Sequence, residues 1–214
     1  MKIGIIGSGD VGKSLGKGLA AIGHDVMIGS RAPDSEDLNS WKESVGRRAA
    51  TGSVSDTAAY GAMLVLAVQW AAVEEVLQQV RPASGGKIVI DVTNPLELSE
   101  TSPPRLAIGH TISGGEVVQQ LLPDSHIVKT LNIVNHAHMA QPKYFEGTPV
   151  MLYCGNNPSA KKSVAGVLKA LGWHDTTDLG DITKSRLLEP LCLLWVNYGM
   201  INDTWDHAFG ILKR

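Results

Sequence analysis

The residues Lys2-Ile3-Gly4-Ile5-Ile6-Gly7-Ser8-Gly9-Asp10-Val11-Gly12 decide the fold. Lys2 to Ile6 is a short apolar run closed by glycine, the pattern of a buried parallel strand. Val11 to Ile22 follows with Val11, Leu15, Leu19 and Ile22 at helical spacing, and Gly23 ends it as a C-cap. Between strand and helix, Gly7-Ser8-Gly9-Asp10-Val11-Gly12 matches G-x-G-x-x-G, with Gly16 one helical turn further on. In a chain with 23 glycines among 214 residues the hexapeptide alone is a weak signal. Its context strengthens it, because it follows a strand and opens a helix within a βαβ unit of about 30 residues. Gly7 allows the tight turn, Gly9 lets the backbone approach a pyrophosphate, and Gly12 lets helix and strand pack closely. The helix N-terminus offers unpaired N–H groups and partial positive charge to the phosphates. A Rossmann-like dinucleotide site is the reading.

The end of the second strand selects the dinucleotide. A site for NAD usually places Asp or Glu there to bond the ribose hydroxyls. Here Asp25-Val26-Met27-Ile28-Gly29 runs into Ser30-Arg31 with no carboxylate. A serine hydroxyl and a guanidinium suit a 2′-phosphate, since arginine supplies a charge-assisted fork. Asp34, after Pro33, is an alternative ribose ligand but reads better as a helix cap. NADP(H) is the expected cofactor.

Strand and helix alternate onward. A helix over Asp34 to Val45, a short strand near Gly52 to Val54, a helical turn from Ser55 to Tyr60 and a buried strand over Met63 to Val68 come first. A helix over Ala72 to Val80 and a strand over Lys87 to Val92 follow. Leu96 to Thr111, with Pro103-Pro104, reads as a long loop of the kind that forms lids. Ser113 and Glu116 have capping-box spacing at the start of a helix that stops at Pro123. Strands over Ile127 to Val134, Pro149 to Cys154 and Asp175 to Asp178 surround a helix opened by Pro158 and ended by Gly172. A long apolar helix from Lys184 to Met200 closes the chain, and Pro190 should kink it or mark its first turn. The expected architecture is α/β, a Rossmann-like doubly wound, mostly parallel sheet over residues 1–180, with a small helical extension at 181–214 packing on it.

Composition bounds the function. Lys+Arg 19 against Asp+Glu 21 leaves a formal charge of -2, so no basic face for nucleic acid is expected. The longest apolar runs fall well short of the roughly 18 residues of a membrane span, and no signal peptide is expected at the N-terminus. Cys154 and Cys192 are too few and too far apart for a disulfide framework, which points to buried thiols and a cytoplasmic location. Trp195, Trp205 and Phe209 lie in an apolar C-terminal segment, where core or dimer contact is the default, and a homodimer is favoured.

Several of these stretches together resemble the coenzyme F420-dependent NADP oxidoreductase family. They are the glycine loop with Ser30-Arg31, Leu64-Val65-Leu66-Ala67-Val68 leading to Trp70, and Val89-Ile90-Asp91-Val92-Thr93-Asn94-Pro95-Leu96. Val128-Lys129-Thr130-Leu131-Asn132 and Ser185-Arg186-Leu187-Leu188-Glu189-Pro190-Leu191 complete the set, so the likeness covers essentially the whole chain. It implies direct hydride transfer between NADP(H) and a deazaflavin, coenzyme F420, bound face to face with the nicotinamide. It also implies that Ser8, Gly9, Asp10 and Val11 hold the pyrophosphate, and Ser30 and Arg31 the 2′-phosphate. Ala67, Val68 and Asn94 would then line the ribose and nicotinamide end. The same resemblance extends to the cytoplasmic domains of membrane ferric reductases, which use NADPH and a flavin.

Direct hydride transfer asks for two rings in contact rather than acid–base groups. An enzyme then needs a substrate-side pocket, expected from Asn94-Pro95, Asn132, Val134 and His136 beneath the loop before Thr111. Lys129 and Asn132, three apart, resemble the Lys–Asn pair of β-hydroxyacid dehydrogenases, but those place the pair on a helix before a large helical domain. His136 and His138 would point the same way on an extended segment; with no third ligand of suitable spacing, no metal is expected. Trp70 either shields the cofactor or packs on a helix. A non-catalytic NADP(H) sensor and a reductase of flavin or ferric substrates stand as alternatives.

Overall fold

The computed structural model describes residues 1–97 and 104–212. β1 (Lys2–Ile6) leads into α1 (Asp10–Ala21), then β2 (Asp25–Gly29), α2 (Glu36–Val45), β3 (Ala49–Gly52), α3 (Val54–Tyr60) and β4 (Met63–Leu66). A 3-10 turn at Trp70–Ala72 enters α4 (Val73–Ser84), and β5 (Ile88–Asp91) follows. β6 (Leu96–Glu97) and β7 (Arg105–Leu106) make a two-residue antiparallel ladder before α5 (Gly114–Leu121). β8 (His126–Lys129), a 3-10 turn at His136–His138, β9 (Val150–Gly155), α6 (Pro158–Ala170), β10 (Asp175–Asp178) and α7 (Ser185–Asn202) complete the chain.

Eight strands form one sheet in the order β10-β9-β8-β5-β4-β1-β2-β3. Every adjacent pair is parallel except β8 with β9. Period-two alternation on strands that are apolar throughout fills both faces. Ile3, Ile5, Met63, Val65, Ile90 and Val128 pack with α1, α2 and α6 on one side. Ile6, Leu64, Leu66, Val89 and Ile127 pack with α3, α4 and α5 on the other. Each such fully buried Val, Leu or Ile contributes roughly 1.5–3 kcal/mol. The order reverses between β1 and β4, and in such sheets ligands bind outside the carboxyl ends at that switch point. Leu188 and Cys192 of α7 join opposite core clusters, so the last helix closes over the same end of the sheet. Among the described residues no helix is long and apolar enough to cross a membrane.

Two strand boundaries are corrected, and one of the two alternatives for Pro190 is excluded. The strand expected over Ile127 to Val134 ends at Lys129; Leu131 has a φ of 59°, and Leu131, Ile133 and Val134 sit in a buried turn. An apolar run in a tight turn under the core is indistinguishable from a strand by hydrophobicity alone. The strand near Gly52 to Val54 lies earlier, at Ala49–Gly52, because Val54 already belongs to α3 with Ser53 as its N-cap. Pro190 falls in the second turn of α7 rather than its first, since the helix begins at Ser185. The expected loop from Leu96 holds the β6–β7 ladder, and its residues 98–103 lie outside the described residues.

Candidate functional site

The glycine loop occupies the switch point. Gly7 has a φ of 125°, and its N–H donates to the Gly29 carbonyl at the end of β2, 3.1 Å away. A Cβ at Gly7 would collide with the Ala67 carbonyl beyond β4, and one at Gly12 would collide with the Gly7 carbonyl. These two glycines are therefore required by the fold itself. Gly9 differs: a Cβ there meets nothing within 4 Å. It is the N-cap of α1 with no side-chain cap bond, so no capping side chain occupies the first N–H groups of that helix. This is the arrangement that accepts a phosphate. Ser8 and Val11 are half-buried beside it and Asp10 is exposed.

At the end of β2 the Ser8 and Ser30 hydroxyls share a hydrogen bond of 3.1 Å, and Ser30 Oγ also accepts from Ala32 N–H. The Ser30 N–H is tied to the Gly52 carbonyl, which holds the turn in place. Arg31 next to it is exposed and engages no acidic partner among the described residues. Lys13, the other cation nearby, is committed: its ammonium lies 3.0 Å from Asp37 and 3.7 Å from Asp10. The Asp37 hydrogen bond holds its pKa above the ordinary lysine value against the opposing effect of burial. Asp34 is exposed and does not cap α2; Ser35 occupies that position.

The wall expected to face the nicotinamide is drawn from the loops after β4, β5 and β8. Ala67 and Val68 leave β4 half-buried. Asn94 and Asn132 form a reciprocal pair. Asn94 Nδ2 donates to the Asn132 carbonyl, and Asn132 Nδ2 donates to Asn94 Oδ1, each at 2.9 Å. Asn132 Nδ2 also donates to the Leu188 carbonyl of α7 at 3.1 Å. Asn132 and Val134 are only 4% and 6% exposed, and Pro95 is buried, so these three support the wall from behind while Asn94 reaches its surface. His136 is half-buried, with Nδ1 3.0 Å from Ser14 Oγ on α1. His138 turns away to Asp206 at 2.8 Å, so the two imidazoles do not converge. Trp70 packs over Gly114 at the start of α5, a helix contact.

Sequence reasoning missed a buried charge cluster below this wall. Lys129, fully buried, donates to Asp91 Oδ2 at 3.0 Å and to the Thr93 carbonyl at 2.6 Å, and lies 3.1 Å from Glu189 Oε1. Asp91 Oδ1 accepts from the Thr93 N–H and hydroxyl; Glu189 accepts from the N–H groups of Gly114 and Gly115. Burial alone would push the lysine down, but the two carboxylates outweigh it and hold its pKa above the ordinary value. The available signal was a charged residue closing each of two apolar strands and one standing inside an apolar helix. Burial likewise raises the thiols of Cys154 and Cys192, to about 11 and about 12, and keeps them protonated.

The family profile described as NADP oxidoreductase, coenzyme F420-dependent, matches residues 2–95. The F420-dependent NADP reductase of Methanocaldococcus jannaschii is 29% identical over 208 residues, 92% of this chain and 91% of that protein. Metalloreductase STEAP3 of Rattus norvegicus is also 29% identical, over 90% of this chain; the chain spans only 37% of that relative's length. A crystal structure of a proposed F420-dependent NADP-reductase from Arthrobacter sp. FB24 matches with a TM-score of 0.94 at 34% identity, covering all of both chains. A pyrroline-5-carboxylate reductase from Coxiella burnetii, at 16% identity and a TM-score of 0.66, shares the fold.

Proposed function

From the premise that this chain belongs to the coenzyme F420-dependent NADP oxidoreductase family, we propose that it passes hydride directly between NADP(H) and a deazaflavin of the F420 type. The chain is an NADP-dependent oxidoreductase; the deazaflavin as its acceptor is our reading. NADP(H) supplies the hydride when bound. The residues present fit it: Gly9 leaves room where a side chain would intrude, the start of α1 carries no side-chain cap, and Ser30 and Arg31 stand ready for a 2′-phosphate.

The observation that favours direct transfer to a planar ring is the character of the nicotinamide end. Its half-buried polar groups are the amide of Asn94, backed by the amide of Asn132, and the His136 imidazole, which is engaged by Ser14. Lys129, the cation closest in sequence to Asn132, is sealed off at 0% exposure between two carboxylates and cannot hand a proton to a substrate. That argues against a lysine-catalysed carbonyl reduction of the β-hydroxyacid dehydrogenase kind. An acceptor reduced by positioning and water exclusion suits such a wall.

The test is spectrophotometric. Purified protein, oxidised F420 and NADPH should bleach the deazaflavin's visible absorbance, with little change when NADH replaces NADPH. No bleaching while NADPH binding is intact would sink the deazaflavin reading. Flavin and ferric chelates are the second acceptors to supply, because the similarity to Metalloreductase STEAP3 favours that chemistry over a non-catalytic sensor.

A further inference from the structure

We propose that Lys129 is a positioning residue for hydride transfer, acting on the nicotinamide end through a closed ring of contacts. The inference rests on the oxidoreductase reading above. The ring runs through six residues. Lys129 donates to the Thr93 carbonyl, and Thr93 is the chain neighbour of Asn94. Asn94 exchanges two hydrogen bonds with Asn132. Asn132 donates to the Leu188 carbonyl, and Leu188 is the chain neighbour of Glu189. Glu189 returns to Lys129 at 3.1 Å. Thr93, Lys129, Asn132, Leu188 and Glu189 are between 0% and 4% exposed; Asn94 alone is half-open toward the crevice.

Lys129 therefore grips Asn94 from both sides, through its backbone neighbour and through its amide partner. The ammonium, carried on β8, binds β5 and α7 directly. Asp91 and Lys129 are register partners that end β5 and β8, while Glu189 brings α7 and, through Gly114 and Gly115, the first turn of α5. The cluster carries one positive and two negative charges in a fully buried place. An arrangement of that kind is a poor source of stability compared with packed apolar side chains. Its geometric effect is specific: it sets how α7 sits on the sheet and hence which way one half-buried amide points. The phosphate cradle at the β1–α1 turn shares no residue with the ring.

The experiment compares wild type with Lys129→Met, which removes both of the lysine's links in the ring, and Glu189→Gln, which removes the charge from the link to α7 alone. Both variants should lose about ten- to hundredfold in kcat for F420 reduction while KM for NADPH stays within about twofold, the pattern of a misplaced reacting ring. The fluorescence emission of bound NADPH, which reports the surroundings of the nicotinamide, should shift in both. Val167→Ala in the distant α6 core serves as a control, lowering Tm with kcat unchanged. Wild-type kcat in Lys129→Met, or an equal kcat loss in Val167→Ala at matched Tm, would overturn the proposal. Should Lys129→Met fail to fold, Glu189→Gln carries the same test. If the wild type does not reduce F420, the acceptor reading fails on its own; unshifted NADPH emission in the variants would then overturn the ring as well, and shifted emission would uphold it.

Discussion

Three glycines of one hexapeptide have separable duties. Gly7 and Gly12 are demanded by backbone contacts, whereas the space at Gly9 is empty of protein. Gly9→Val should therefore leave Tm unchanged and abolish binding of both NADPH and NADH, while Gly12→Ala should lower Tm in the absence of any nucleotide. Thermal melts beside nucleotide titrations separate the two, and a destabilised Gly9→Val would contradict the open cradle. Arg31→Ala should weaken NADPH by about 1.5–3 kcal/mol, the scale of a charged hydrogen bond, and leave NADH nearly untouched. Equal losses for both nucleotides would remove Arg31 from the 2′-phosphate. The turn itself was legible because Gly12 meets Gly7 within one βαβ unit; the contact of Gly7 with Ala67 beyond β4 was not, since it forms only when that strand joins the sheet.

Among the elements, α5 has the most elaborate start. Ser113 and Glu116 form a complete capping box, Arg186 of α7 forks onto Glu116, and Glu189 covers the first two N–H groups. The Arg186 guanidinium, foremost, and the Ser113 hydroxyl and N–H hold the Glu116 carboxyl below its usual range, against the opposing effect of burial. A carboxyl whose folded pKa is depressed adds stability above its unfolded value, and loses it as pH falls through the folded value. Glu116→Gln should therefore cost about 1–2 kcal/mol near neutrality. The Tm gap to wild type should start to close only below about pH 4.5 and vanish in stronger acid. A gap that persisted undiminished to pH 3 would show that something other than the charge had been removed. The box itself was visible as Ser113 and Glu116 three apart; the arginine and second carboxylate arrive from a helix some seventy residues later.

At the scale of the molecule, α7 is apolar on two sides. One side, including Leu188, Cys192 and Trp195, enters the core. Leu187, Leu194, Tyr198 and Ile201 step outward by seven, four and three, with exposures of 62%, 54%, 49% and 73%. A helix apolar all round needs cover all round, and no charged residue stands between Glu189 and Asp203. The outward stripe offers on the order of 500 Å² per copy, so two copies reach about 1,000 Å², the lower bound of a specific interface. The expected outcome is a homodimer by sedimentation, converted to monomer by Leu194→Glu with Ile201→Glu while NADPH affinity holds; a monomeric wild type would refute it. What the sequence determined by itself was the local grammar: strand, glycine turn and helix in order, the capping box, and Ser30-Arg31 in place of an acid. Those features are set by short-range sterics, hydrogen bonding and hydrophobic period. Only the tertiary structure decided that Ile133 and Val134 lie in a turn, that His136 and His138 part company, and that Asp91, Lys129 and Glu189 meet. A buried charge is tolerable only beside its partners, and those partners come from three elements that become neighbours only when the sheet is complete and α7 has folded across its end.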